Sequence, residues 1–526
     1  MKQKLYTKDS TTARTGVSGG LLRALLSWKT LSVSLLSFSS GLPLGLVWIA
    51  IPDWMRDSGV DIRLVGLMTL TQAPWSFKIL WSPFMDRFAP LPLGRRRGWA
   101  LLAQIALLAL TFGMAGLGNH PDAPWVLFAL ALAMALFSAT QDIAIDAYAV
   151  DVLEKEEQGM AVGLRTALYR GAMVVAGGLT ITLIGIFSWP MVCIGLGLLY
   201  LPMMVVTLKA PEPQERIPPP GSLKQAVWLP FLELLARHRA LPILAFVLLY
   251  KLSDSLSQSL LRPFLIDMGY DSFHRGFSLA TLGIIFTVAG TFLGGALTNT
   301  ISLGRSLWLF GFLQIFSNIG YILIASGPVN LPLMYGALGF ETFTSGLGMG
   351  AFGVLLLRMT HKRFSATQYA LFSSLFGLPR ILAGPVSGYT VHAVGWTNFF
   401  WFTMVAGIPG MILLARFVPW SVREPEFDVK APIRSDPLSR RALASRSALG
   451  LLVGFIFALL ALSLLDALGD PGSGFAFLEA VGRTLRPGTA TGWIGLVGIT
   501  AFAVVAGLFT AAVGMARSSG GRDDLN

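Results

Sequence analysis

Apolar stretches of about 20 residues, enough for a helix to cross about 30 Å of hydrocarbon, recur along almost the whole 526-residue chain. Lipid offers no water to backbone N–H and C=O groups, so each stretch must satisfy its own backbone, and a helix does so. The runs begin near Thr30, Leu64, Trp99, Trp125, Ala161 and Trp189, and again near Leu241, Gly276, Ser306, Leu331, Thr367 and Thr397. Two more begin near Leu451 and Trp493, bringing the expected number of spans to about fourteen. The expected fold is an all-α membrane protein of two six-helix bundles plus two extra C-terminal helices. Charged residues make up 13% of the chain against 54% hydrophobic, and they bunch between the runs, leaving no soluble domain of useful size.

The organisation that follows is a tail (1–29), a first bundle (30–208), a connector containing Pro218, Pro219 and Pro220 (209–239), a second bundle (240–418), a second connector (419–447), two additional helices (448–515) and a short tail (516–526). Lysine and arginine stay on the cytoplasmic side of a membrane because moving them across is costly. With the N-terminus inside, about 29 of the 40 basic residues fall in cytoplasmic segments, about six outside and about five within the runs. Both termini are therefore expected in the cytoplasm. The same reading explains the net charge of +12 without nucleic acid, since the basic residues form no soluble stripe.

Several function classes lack support. The single cysteine, Cys193, excludes an intrachain disulfide and a cysteine metal cluster. The scattered histidines lack metal-ligand spacing on one helix, and no glycine run has the strand-to-helix context of a phosphate loop. No cofactor, no metal and no enzymatic constellation are expected.

The two groups of six runs resemble one another, as in transporters built from related halves. PDWMRDSGVDIRLVGLMTL from Pro52 is similar to RPFLIDMGYDSFHRGFSLATLG from Arg262, and YRGAMVVAGG from Tyr169 to PRILAGPVSG from Pro379. Arg170 and Arg380 thereby take corresponding places. Guanidinium meets carboxylate through two parallel hydrogen bonds, so this pair is a candidate site for an anionic substrate.

Between the second and third runs, WSPFMDRFAPLPLGRRRGW puts Asp86 and Arg87 at a helix end, then a proline turn, Gly94, and Arg95, Arg96 and Arg97. A carboxylate there can cap the positive N-terminus of a neighbouring helix, the glycine permits a tight turn, and the arginines can latch one closed state. The segment resembles the G-x-x-x-D-R-x-G-R-[KR] loop of the major facilitator superfamily, with Ser82 in place of the opening glycine and Ala89 to Leu93 inserted before Gly94. A second, fainter copy, GGALTNTISLGRS from Gly294, lacks the acid. Together with SFSSGLPLGL from Ser37, FKILWSPFMDR from Phe77, LGRRRGW from Leu93 and SATQDIAIDAYAVDVL with EEQG from Ser138, the chain resembles the AmpG family of muropeptide permeases. That resemblance implies a facilitator fold and proton-driven import of GlcNAc-1,6-anhydroMurNAc peptides from periplasm to cytoplasm, across the inner membrane. Its alternatives are another cargo, such as acetyl-coenzyme A or a sugar conjugate, or a non-transporting sensor.

Charges inside a membrane are expensive and need a reason. Lys78 calls for a carboxylate across the cavity. Asp142 and Asp146, four apart on one helix face, can hold a proton reversibly with Lys78 stabilising the ionised form. Glu341, alone in its run, is a second candidate for proton coupling. Gln141 suits sugar hydroxyls or acetamides, with helix-to-helix contact as the plainer reading. Trp75 lies deep enough to stack on a sugar ring. Lys251 and Asp254, three apart, are candidate substrate ligands or a self-neutralising pair. Arg165, nearer a helix end, reads as a snorkelling anchor. The expected assembly is a monomer in the lipid bilayer with a small-molecule substrate and protons as partners.

Overall fold

A computed structural model describes residues 27–60, 68–118, 124–184, 186–213, 218–237, 239–425, 439–468, 477–488 and 490–516. Most of both expected tails and most of the second connector lie outside the described residues. Every regular element described is helical, and among the described residues eleven helices are long and apolar enough to cross a membrane. In the first bundle these are α1 (Trp28–Asp57), α3 (Arg95–Ala115), α4 (Trp125–Val152), α5 (Lys155–Ile184) and α6 (Trp189–Lys209), with α2 (residues 68–87) between α1 and α3. The second bundle adds α7 (Ala240–Asp267), α8 (Ser272–Thr300), α9 (Leu303–Ser326), α10 (Leu331–Met359) and α12 (residues 396–417, the bulk of the span Thr390–Phe417), with α11 (residues 365–394) between α10 and α12. After it come α13 (Arg440–Leu468), which completes the eleven, and α14 (Ala490–Ala516).

Fourteen helical positions are thus present, but length and hydropathy confirm fewer than fourteen spans. The clearest departure is α2. Pro74 and Pro83 each open a short helix, and 3₁₀ turns at Met68–Gln72 and Lys78–Leu80 separate them. A proline withholds a backbone donor and crowds the preceding turn, so no continuous span-length helix forms there. Helices α11 and α12 join through Gly395, whose φ of 75° is open to glycine.

The connector at 209–239 is less polar in form than expected. It contains a helix, Leu223–Leu235, started by a capping box of Ser222 and Gln225. Its Leu232 and Leu235 pack with Ala236 against Ala512 and Ala516 of α14, so the last helices rest on the connector. Helix α13 begins at Arg440, ahead of the boundary expected at 448. Gly450 and Gly454 bring it against Ala503 and Ala506 of α14.

The apolar core shows how the halves meet. One cluster joins Val33, Met85, Ile143 and Tyr148 of the first bundle to Phe246, Leu307, Phe352 and Phe372 of the second. Farther from the arginine loop the core divides, into Leu46, Trp54, Met134 and Trp189 on one side and Phe264, Tyr321, Met334 and Phe400 on the other. The halves are therefore fused at the end bearing Arg95 to Arg97, called the basic face below, and part toward the opposite face. Glycine marks the closest approach: a Cβ on Gly159 of α5 would sit 2.3 Å from the carbonyl oxygen of Gly295 of α8. Gly171 and Gly178, farther along α5, face open space.

Candidate functional site

The loop motif builds a lock at the basic face. Asp86 is fully buried. Its Oδ2 accepts from the Thr367 backbone N–H at 2.8 Å and from Thr367 Oγ1 at 2.6 Å, while Oδ1 accepts from the Ala366 N–H at 3.2 Å. The carboxylate of one half thus caps the N-terminus of α11 in the other, where the helix dipole favours negative charge. Arg96 donates to Asp86 Oδ1 at 2.6 Å, to Ser365 Oγ at 2.7 Å and to Asp151 Oδ2 at 3.0 Å. Ser365 Oγ in turn donates to Asp151 Oδ1 at 2.7 Å. Arg95 donates to the Asp86 carbonyl at 2.8 Å, and Arg97 bonds the Ala210 carbonyl at the exit of α6. Gly94 takes φ 85° to start α3. Arg87 stands apart from this network, its guanidinium 5.6 Å from the Phe88 ring centroid.

The fainter second copy occupies the related place. Ser302 starts α9 with φ 79° and ψ 152°, nearly the conformation of Gly94 at φ 85° and ψ 165°, at some strain for a residue with a Cβ. Asn299 Nδ2 donates to the Glu156 carbonyl in the first turn of α5 at 2.8 Å. The amide of α8 against α5 answers the carboxylate of α2 against α11, but it is neutral, and the acid at the start of α9, Glu424, pairs with Arg358 instead.

Deeper, α2, α4 and α5 assemble a polar cluster. Lys78, 7% exposed, lies where α2 is broken into its 3₁₀ turn, and its Nζ is 3.6 Å from Asp146 Oδ2. Arg165 also binds Asp146, through Oδ1, and donates to Ser37 Oγ at 3.2 Å. The expectation of a snorkelling anchor is thus corrected: this guanidinium turns inward because a second cation is needed beside two carboxylates. Asp142, one turn away, lies in the field of Lys78, Asp146 and Arg165. Both aspartates are half-buried. From the second half Tyr369 of α11 reaches Arg165 and Asp146. Tyr369 and the second role of Arg165 were missed from sequence; the imbalance of two acids against Lys78 alone was the available signal.

Arg170 of α5 and Arg380 of α11 face each other within electrostatic reach, with Tyr169 beside them. Among the described residues neither makes a hydrogen bond or ion pair with another protein group. Arg380 is exposed although protein surrounds it on most sides. The structure therefore brings the two repeat-related arginines together. Trp75 also borders this half, its ring 5.6 Å from that of Trp48 and nearly perpendicular. Gln141 does not line the opening: it is fully buried and donates to Ser39 Oγ at 2.5 Å. Ser39 continues to Gln104 and Thr207, a bridge between helices.

The second half holds its own polar cluster. Lys251 sits at a break in α7, bonded to Asp254, to Gln314 Oε1 at 2.5 Å and to both oxygens of Ser345 at 3.0 Å. Glu341 of α10 accepts from Tyr321 at 3.0 Å and Gln258 at 3.2 Å. All three charged residues are buried, at 5% or less exposed.

This geometry, two helical halves fused at one end around charged, cavity-facing side chains, has known counterparts. The sequence profile of the Major Facilitator Superfamily matches residues 33–384. An anhydromuropeptide permease of Escherichia coli K12 is 40% identical over 400 residues, covering 76% of this chain and 81% of that protein. The chain belongs to the Major Facilitator Superfamily, and within it to the AmpG permeases. A Haemophilus influenzae protein of uncharacterised function is 33% identical, with 77% of this chain and 97% of that protein covered. The human organic anion transporter MFSD10 superposes with a TM-score of 0.55 at 15% identity, covering 74% of this chain and 99% of the other, and shows the shared fold. As a superfamily member the chain is a multi-pass membrane transporter of a small-molecule substrate, not an enzyme.

Proposed function

We propose that this permease imports anhydro-muropeptides, GlcNAc-1,6-anhydroMurNAc peptides, from periplasm to cytoplasm across the inner membrane with protons, for cell-wall recycling. The similarity to the Escherichia coli anhydromuropeptide permease supports the cargo. The observation that carries the mechanism is the unpartnered pair Arg170 and Arg380 beside the cluster of Asp142, Asp146, Lys78 and Arg165. Peptide carboxylates accept bidentate hydrogen bonds from the two guanidiniums, one from each half, and draw the halves together. Asp142 and Asp146 share two cations, so protonating either leaves Lys78 or Arg165 with less to hold and eases its exchange with substrate. Glu341 is the second proton site. Lys251 and Asp254, satisfied by each other and by Ser345, brace the second bundle rather than meet substrate.

In this reading the basic face is cytoplasmic, both termini lie on that side, and the domain boundaries follow the two bundles, their connector and the appended helices. Asp86, Gly94, Arg95, Arg96 and Arg97 form the gate that holds the cytoplasmic end shut while the cavity faces the periplasm, with Arg87 of the same motif beside it rather than in it. The working unit is a monomer. The test is uptake of radiolabelled anhydro-muropeptide into proteoliposomes under an imposed inward proton gradient. Accumulation that collapses with an uncoupler is the expected result; folded protein that accumulates nothing under either condition overturns it.

A further inference from the structure

Trp48 and Trp75 meet edge to face, as several aromatic pairs here do, but among those pairs both of their indole N–H groups lack an acceptor. Trp54 and Trp189 stack at 4.0 Å and 2° and are nearly buried, so each covers a face of the other in the bundle wall. Trp48 and Trp75 instead meet at 85°, pack on the edge of the first-bundle core and remain half-buried, a right-angled corner that is not fully covered. Neither backbone is regular α-helix through its neighbours: Trp48 lies on the π-turn Leu46–Ala50 and Trp75 between two 3₁₀ turns. Such irregularities inside helices concentrate at functional sites because they re-aim side chains. Both indole N–H groups are shielded from solvent and have no acceptor in the protein, as is also true of Trp189 in the bundle wall, but here two such donors meet at one corner, and a buried donor without a partner calls for a specific reason.

The corner also sits at a definite place relative to the charges. Trp75 is one turn from Lys78, which faces Asp146. Ile49, next to Trp48, packs against Gly177 of α5. Gly177 is two turns beyond Arg170 on the same helix, about 10 Å farther from the basic face. A ligand anchored by a carboxylate at the arginines therefore reaches the indoles with an uncharged part.

We infer that Trp48 and Trp75 form a saccharide subsite that takes an N-acetylated pyranose, oriented with its sugar end toward the opposite face and its anionic end at Arg170 and Arg380. The C–H face of the ring packs on one indole, the acetamido methyl fills the corner, and the two N–H groups meet carbonyl and hydroxyl oxygens after small ring rotations. The inference rests on the transport reading for its physiological ligand but not for its test.

Purified protein in detergent is titrated calorimetrically with N,N′-diacetylchitobiose, a sugar without peptide, and separately with the sugar-free stem peptide. Trp48→Phe and Trp75→Phe, which keep an aromatic ring but remove the N–H, are expected to weaken the sugar at least about tenfold and leave the peptide unchanged. Arg170→Lys is expected to do the reverse. Equal sugar affinity in wild type and both Trp variants, or no sugar binding by folded wild type, overturns the subsite. Because no transport is involved, failure of proteoliposome uptake and failure of this subsite are separate results.

Discussion

The charge cluster of the first bundle and that of the second use the same residue types but differ in their access to water. In the first, two half-buried aspartates face two cations, and Tyr369 of the other half lies beside Arg165 across the boundary between halves. In the second, Lys251 pairs with Asp254 and bonds Gln314 and Ser345, while Glu341 is held by Tyr321 and Gln258, all from its own bundle. The Lys251–Asp254 pair, satisfied from within, is a structural element. A cluster satisfied partly from the other half must change when the halves move.

That contrast predicts unequal costs. Lys251→Met leaves the buried Asp254 without its cation and should cost about 3–5 kcal/mol, seen as a collapse of the melting transition in detergent. Lys78→Met should cost less than half as much, because Arg165 still holds Asp146. Equal losses would erase the distinction. In transport the order inverts: Asp142→Asn and Asp146→Asn should lower gradient-driven accumulation by about a hundredfold, the loss of an essential proton carrier, while the proteins melt almost normally. Glu341→Gln should likewise lose accumulation yet keep counterflow exchange, which requires no net proton movement; unaltered accumulation would remove Glu341 from the coupling. Arg170→Lys and Arg380→Lys should each raise the half-saturating muropeptide concentration about tenfold. Smallest are the hydroxyl deletions. Ser345→Ala, which strips a bridge between Lys251 and Asp254, should cost about 1–2 kcal/mol, and Ser37→Ala, at the wetter cluster, about 0.5 kcal/mol or less.

What could be read beforehand followed from local chemistry. The apolar runs dictate helices whatever their packing, and the arginines at 170 and 380 correspond through the repeat without any coordinates. The capping role of Asp86 followed from a carboxylate at a helix end, but not its recipient, α11, which lies some 280 residues along the chain. Arg165 was misjudged because its position along α5 suggested a water-facing end, while its partner on α4 is set by how two helices rotate against each other. The break in α2 was visible as prolines within an apolar run, yet hydropathy averages over such breaks. The connector helix was hidden by the charges and prolines on either side of it, although Trp228, Leu232 and Leu235 supply its apolar face. Gln141 illustrates the converse: a residue type suited to a ligand serves a neighbouring helix instead.

The crossing of Gly159 and Gly295 brings main chain against main chain. Such a contact has no side chains to interdigitate, so parting it exposes little apolar surface and requires no rotamer to change. The door at that point slides on a bare hinge, and its bolt is elsewhere, in Asp86, Arg96 and the first turn of α11. A methyl group at either glycine would act as a doorstop, wedging open the end that the bolt holds shut.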